Sequence, residues 1–308
     1  MGNTCIYSVE NLADYSPQKS ITFVFSGCDE KRSLEVLEYL YTNSVSIEHL
    51  LVISYSGFNL PSKYAKMIKA KNVQTVSITE EPMDFVNSLK KIPERFWCKD
   101  ILIDISCIRI PEMFTFFKML KMQNKVKQLK VAYSIPYDYV FKEEPFTSYR
   151  SYFGDLKMFE LLGFSGPGGA TRFHDLYMFL GFEGALGLKV FENCQHSNLM
   201  LVNNLPSFFP KYKDISVINN YQLMQNKHKY LYTPADNPFE AYNLLYSMIG
   251  DCKDAVCVAP LSTKPVALGI CLFALNHEFV RVVYPVSNKY RTTNTLNTYK
   301  TNIYNIEL

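Results

Sequence analysis

The sequence is short of the features that announce chemistry directly. None of its eight cysteines forms a Cys-x-x-Cys pair and its five histidines are scattered, so no residues stand at zinc-ligand spacing. Cys107, Cys257 and Cys271 fall inside apolar segments, where a thiol acts as a small hydrophobe. The reading is a reduced, cytoplasmic protein with no metal and no cofactor. Charge of one sign is scarce too. A net charge of +3 is too small to indicate a nucleic-acid partner. The longest apolar run, around Val266 to Leu275, suits a core helix and is too short for a membrane span. The first twenty residues carry charges and no signal-peptide core, and Ile6 stands where a myristoylation signal needs Ser or Thr. The glycine fingerprints of dehydrogenases and methyltransferases are absent, so neither chemistry has a motif.

What the chain does hold is aromatic residues, 15% with 22 Tyr, and an internal repeat. FVFSGCDEKRSLEVLEYL from Phe23 aligns with MFLGFEGALGLKVFENC from Met178, pairing Gly27 with Gly181, Asp29 with Glu183, Leu34 with Leu188 and Val36 with Val190. At the same offset Asp100 meets Asp254 and Pro111 meets Pro265, in DILIDISCIRIPEMFTFFKML and DAVCVAPLSTKPVALGICLFAL. Leu51-Val52, Pro82 and Tyr133 find echoes in Leu201-Val202, Pro238 and Tyr284. Matches in one order at a nearly constant offset signify duplication.

Each copy alternates strand and helix patterns. In the first, strands are expected at 21–27, 50–55, 73–78, 101–106 and 129–135, with helices at 31–42, 62–70, 83–91 and 111–122. In the second, strands are expected at 176–180, 199–202, 229–232, 255–259 and 279–284, with helices at 186–194, within 207–224, at 239–249 and from Pro265. Such alternation implies parallel strands joined by right-handed crossovers. The fold class is therefore α/β, with two duplicated Rossmann-like, doubly wound and mainly parallel domains in tandem. The expected domains are residues 1–145 and 173–308, the latter ending in a polar tail from Ser287 that adds an edge hairpin or reaches a partner. Between them lies a Gly-rich linker at 146–172, whose Gly163, Gly166, Gly168 and Gly169 also suit a lid closing on a ligand. The lysines from Lys118 to Lys130 read as a solvated face near a helix end.

Ligands of doubly wound sheets bind beyond the carboxyl ends of the strands, where the strand order reverses. In the first copy those ends are Ser26, Gly27, Asp29 and Glu30, then Asp104 and Ser106, with Arg32 and Arg109 opening the helices. In the second they are Gly181 and Glu183, then Ser262, Thr263 and Lys264. The last three meet a helix N-terminus introduced by Pro265, an arrangement suited to an anion. A lysine there opposes the helix dipole, and an anionic ligand explains its presence. Asp29, Glu30 and Asp104 are candidate general bases, or else residues that cap and favour helix starts. Tyr133 and Tyr284 stack on a base or cap the core. Glu30 and Arg32 align with Gly184 and Leu186, and Ile110 with Lys264, so the copies diverge in complementary ways. One composite site between the halves is the expectation.

The tandem layout, with Ser-Thr-Lys-Pro after the fourth strand, resembles the CRISPR-associated Rossmann-fold (CARF) sensors and their SAVED relatives. Many of these use Gly-Gly-Thr-Lys at that place to bind cyclic oligonucleotide phosphates. Thr263 and Lys264 match that motif, and Leu261-Ser262 replaces its glycines. The resemblance implies a nucleotide-sensing module of an anti-phage defence system, acting alone, degrading its ligand or joined to an effector protein. The alternatives are a nucleotide- or nucleoside-processing enzyme and a non-catalytic interaction subunit. The expected partner is a nucleotide-like small molecule, with no membrane, and a homo-oligomer is left open.

Overall fold

The computed structural model describes residues 8–17, 19–28, 30–55, 58–65, 68–79, 81–97, 100–124, 126–139, 156–166, 173–250, 255–287 and 295–308. In chain order they form β1 (Ser8–Asn11), β2 (Ile21–Gly27), α1 (Glu35–Thr42), β3 (Ile47–Ser54), α2 (Ser62–Ala65) and β4 (Val73–Ser77). Then come α3 (Pro82–Lys90), β5 (Asp100–Asp104), α4 (Ile110–Gln123), β6 (Gln128–Tyr139), β7 (Leu156–Ser165), β8 (Phe173–Phe179) and α5 (Gly184–Asn193). The chain continues through β9 (His196–Asn204), α6 (Pro210–Asn219), α7 (Tyr221–Met224), β10 (Lys229–Thr233) and α8 (Pro238–Ile249). It closes with β11 (Val256–Pro260), α9 (Lys264–Asn276), β12 (Val280–Ser287) and β13 (Thr295–Glu307). Two compact units result: residues 1–140 with 292–308, and residues 141–291.

The first unit is built on a seven-stranded sheet of order β1-β13-β6-β5-β2-β3-β4. Five adjacent strands, β6-β5-β2-β3-β4, are parallel, so β2 and β5 are the neighbours from which the crossovers depart in opposite directions. β2 is buried along its whole length, as its mainly apolar sequence ITFVFSG suits a central parallel strand. α4 begins at a Pro-containing turn and ends at Asn124 in the left-handed region (φ 51°), which side chains other than Gly and Asn disfavour. The second unit repeats the order: β10-β9-β8-β11-β12, all parallel. Its reversal lies between β8 and β11. The α/β, doubly wound reading therefore holds in both units.

The expected domain bounds differ from the observed units in two places. The polar tail does not follow the second domain, because β13 returns to the first sheet and pairs antiparallel along β6, from Glu307 opposite Gln128 to Thr295 opposite Tyr139. Its Ile303, Tyr304 and Ile306 are buried there, and this partner explains why β6 runs beyond residue 135. The expected linker contains β7, an antiparallel edge strand on β12. β7 buries Leu161 and Phe164 and exposes most of the rest. Its Gly163 has φ 83° and lies within the strand, beside a register shift in β12. Gly168 and Gly169 lie outside the described residues. Helix 31–42 is split: a 3₁₀ turn, Lys31–Leu34, precedes α1, held back by Ser33 Oγ donating to the Cys28 carbonyl at 3.1 Å.

Candidate functional site

In the first unit the ends of β2 and β5 carry a polar cluster in which Arg32 and one Glu30 oxygen are bonded to protein groups. Gly27 is glycine for a reason of space, since a Cβ there would meet the Phe58 ring at 2.0 Å. Ser26 is buried beside it. The chain then turns, and Arg32 folds inward, nearly buried, with Nε 2.6 Å from Glu30 Oε1 and Nη1 2.9 Å from the Ser134 carbonyl oxygen. Its guanidinium also lies over the ring of Tyr133 at 5.9 Å. Thr295 donates to the same Glu30 oxygen at 2.9 Å. Cys107 Sγ stands 3.6 Å from Glu30 Oε2. A hydrogen bond with Cys28, then burial, pushes the Cys107 thiol well above its ordinary range. Asp104 is buried and accepts from the Ser106 N–H at 2.8 Å, while Ser106 Oγ accepts from the Ser134 N–H at 2.8 Å. Asp104 and Ser106 thus hold the ends of β5 and β6 together. Asp29, the third candidate base, lies outside the described residues.

Arg109 leads into α4 with its guanidinium 4.4 Å from the centre of the Tyr55 ring, and its N–H donates to the Tyr55 hydroxyl at 3.1 Å. Glu112, one turn on, is half-buried with its Oε2 sealed from solvent. Burial raises its pKa, against the pull of its own backbone N–H and of Arg109.

The second unit arranges the same topological point differently. Gly181 follows β8, and a Cβ on it would lie 2.1 Å from the Leu261 carbonyl oxygen, so the two strand ends approach through backbone. The carbonyls of this turn are taken up by α6 and the residue after it. Ser216 Oγ and Asn220 Nδ2 donate to the Gly181 oxygen at 3.0 and 2.9 Å, and Asn219 Nδ2 to the Phe182 oxygen at 2.7 Å. Glu183 caps the start of α5 without a side-chain bond to its backbone. Burial pushes its carboxyl up, while its own backbone N–H and the Lys264 ammonium pull it back. Lys264 opens α9, a helix of 13 residues buried from Pro265 to Leu275. The field at the N-terminus of so buried a helix is weakly screened.

The hydroxyls expected to meet an anion are engaged with protein. Ser262 Oγ donates to Asn204 Oδ1 at 2.7 Å, and Thr263 Oγ1 to the Ala235 carbonyl at 2.6 Å. Thr263 also caps α9 by accepting from Val266 N–H. Their role is to fix the turn from which Lys264 projects. Tyr284 is partly buried against the core of this unit, and Tyr133 is buried in the first.

No family model matches the chain, and no curated protein matches it. Among solved structures, a universal stress protein from Archaeoglobus fulgidus DSM 4304 is similar at 11% identity over 85% of this chain and 94% of that one, with a TM-score of 0.21. At that score the likeness carries no argument, and the fold reading rests on the strand order.

The structure thus gathers Gly181, Glu183, Ser262, Thr263 and Lys264 at one point in the second unit. In the first it gathers Glu30, Arg32 and Tyr133, joins Asp104 to Ser106 nearby, and sets Arg109 on Tyr55. Sequence reading missed Tyr55, Glu112 and the bracing trio Ser216, Asn219 and Asn220. The adjacent asparagines at a helix end were the available signal for the last of these. Among the described residues no helix is long and apolar enough to cross a membrane.

Proposed function

We propose that the protein is a nucleotide-sensing module whose second unit binds the phosphate of a nucleotide-derived ligand beside Lys264. The reading concerns that unit taken by itself. One observation carries it: an ammonium at the head of a long buried helix, at the strand-order reversal, next to a carboxyl that burial drives toward its neutral form. A cation at a helix N-terminus is disfavoured by roughly 0.3–1 kcal/mol. A phosphate reverses that sign, because it faces both the dipole and the ammonium. Protonation of Glu183 releases Lys264 to the ligand and adds an O–H donor. A place in an anti-phage defence system is proposed on the Thr263-Lys264 resemblance. Calorimetric titration with ATP and with cyclic oligoadenylates tests the reading; it fails if none of them binds.

A second reading, an enzyme acting on a nucleotide, is favoured by Glu183 itself, since a carboxyl with a raised pKa beside a phosphate-binding cation is equipped to deliver a proton. Asp104 and Glu30 suit that role less, being engaged in the first unit's internal bonds. Chromatography of nucleotides incubated with the protein separates the readings. Turnover that disappears in Glu183→Gln supports the enzyme, and binding without turnover supports the sensor.

A further inference from the structure

We propose that the first unit holds a zinc-class divalent metal ion between Cys28, Cys107 and Glu30. The thiol sulfurs and a carboxylate oxygen of these residues all lie within 4.8 Å of one another. Cys107 is remote in sequence from Cys28 and Glu30, and the sheet brings it to them: Cys28 directly follows β2, Cys107 lies just beyond β5, and these strands are hydrogen-bonded neighbours. A sulfur and an oxygen bound to one tetrahedral zinc at about 2.3 and 2.1 Å are separated by about 3.6 Å. Cys107 Sγ and Glu30 Oε2 are 3.6 Å apart.

The surroundings are those of a metal site's outer layer. The other Glu30 oxygen accepts from Arg32 Nε and from Thr295 Oγ1. These bonds fix the carboxylate with Oε2 toward Cys107, as outer partners orient metal ligands. Arg32 is itself fixed by the Ser134 carbonyl. Two thiolates and a carboxylate carry three negative charges, which one divalent ion and the Arg32 guanidinium cancel. A neutral assembly suits a site with little water, where uncompensated charge is costly. Zinc displaces the two thiol protons as it binds. Three protein donors leave a fourth position for water or for an atom of a bound molecule.

The experiment is titration of the reduced, chelator-treated full chain with Co²⁺, followed by Zn²⁺. The expected result is one ion per chain, a thiolate-to-cobalt charge-transfer band with the visible bands of tetrahedral cobalt, and loss of both on adding zinc. Cys28→Ser and Cys107→Ser each remove most of the charge-transfer intensity while circular dichroism stays that of the parent. Cys257→Ser, in the second unit, leaves the spectrum unchanged. Thr295→Val, which removes one bond to Glu30, weakens cobalt binding by up to roughly tenfold, toward the low end of outer-layer effects. The proposal is overturned if cobalt binds without a thiolate band, if the band survives in the folded Cys28→Ser/Cys107→Ser double variant, or if the reduced chain takes up neither metal.

Discussion

At the end of β2, in the first unit, a guanidinium turns inward, finds Glu30 and the Ser134 carbonyl, and is sealed from water. At the end of β8, in the second, the repeat puts Gly184 and Leu186 in place of Glu30 and Arg32, and the cation arrives from the neighbouring strand end as Lys264. The strand order is the same and the electrostatics are not. A buried ion pair satisfies itself and holds a turn in shape. A half-buried ammonium, set against a helix dipole and beside a carboxyl that burial drives toward neutrality, is where the proposed reading places an incoming anion. Duplication of a fold fixes where a site can lie, and the side chains at the strand ends decide which charges are paired there within the protein.

This contrast is sharpest in stability. Arg32→Met leaves Glu30 buried without its cation, and the expected loss is about 3–5 kcal/mol, read as a lower urea midpoint for the first unit. Lys264→Met is expected to cost less than about 1 kcal/mol, because Lys264 is only half-buried and Glu183, on which it acts through its charge, can take up a proton. Equal losses would erase the distinction between the two strand ends.

The glycines come next. Gly181→Ala drives a Cβ into the Leu261 carbonyl, which is backbone and cannot step aside. An overpacking cost of about 3 kcal/mol is expected. Gly27→Ala meets only the Phe58 ring, which is partly exposed and can swing away, so a cost of about 1 kcal/mol is expected. Thermal unfolding of both variants gives the ranking, and a larger loss for Gly27→Ala would contradict it.

The smallest effect is in pH. Glu183 has a folded pKa above its ordinary 4.5, so the folded chain retains a proton that the unfolded chain has lost. The stability linked to that proton is fully present below about pH 4.5 and falls as pH rises through the folded value. Glu183→Gln should therefore flatten the pH dependence of the second unit's unfolding above pH 4.5. An unchanged slope would mean the carboxyl is not held toward its neutral form.

Much of this arrangement was legible from residue order. Buried runs such as ITFVFSG in β2 and VCVAP in β11, Pro111 and Pro265 at the helix heads, and the repeated offset led to two Rossmann-like units. The return of β13 was not legible, because TLNTYKTNIYNIE gains its burial only from β6 and β1, and no local pattern names a partner so distant. The site was legible as a set of strand ends, since topology dictates that position. Which groups there are spent on the protein was not. Ser262, Thr263 and Arg32 look available in sequence, and their engagement depends on Asn204, Ala235 and Ser134, which only folding brings near. The Cys28–Cys107 approach escaped for the same reason, being made across two neighbouring strands.

The most direct test of the contrast between the units is calorimetric titration of ATP and cyclic oligoadenylates into the parent, Lys264→Ala and Arg109→Ala at low salt. Loss of one charge-assisted contact predicts roughly 10- to 100-fold weaker binding in Lys264→Ala, with Arg109→Ala within about twofold of the parent, its cation being stacked on Tyr55 in the other unit. Undiminished binding in Lys264→Ala, or a loss in Arg109→Ala instead, would contradict the account.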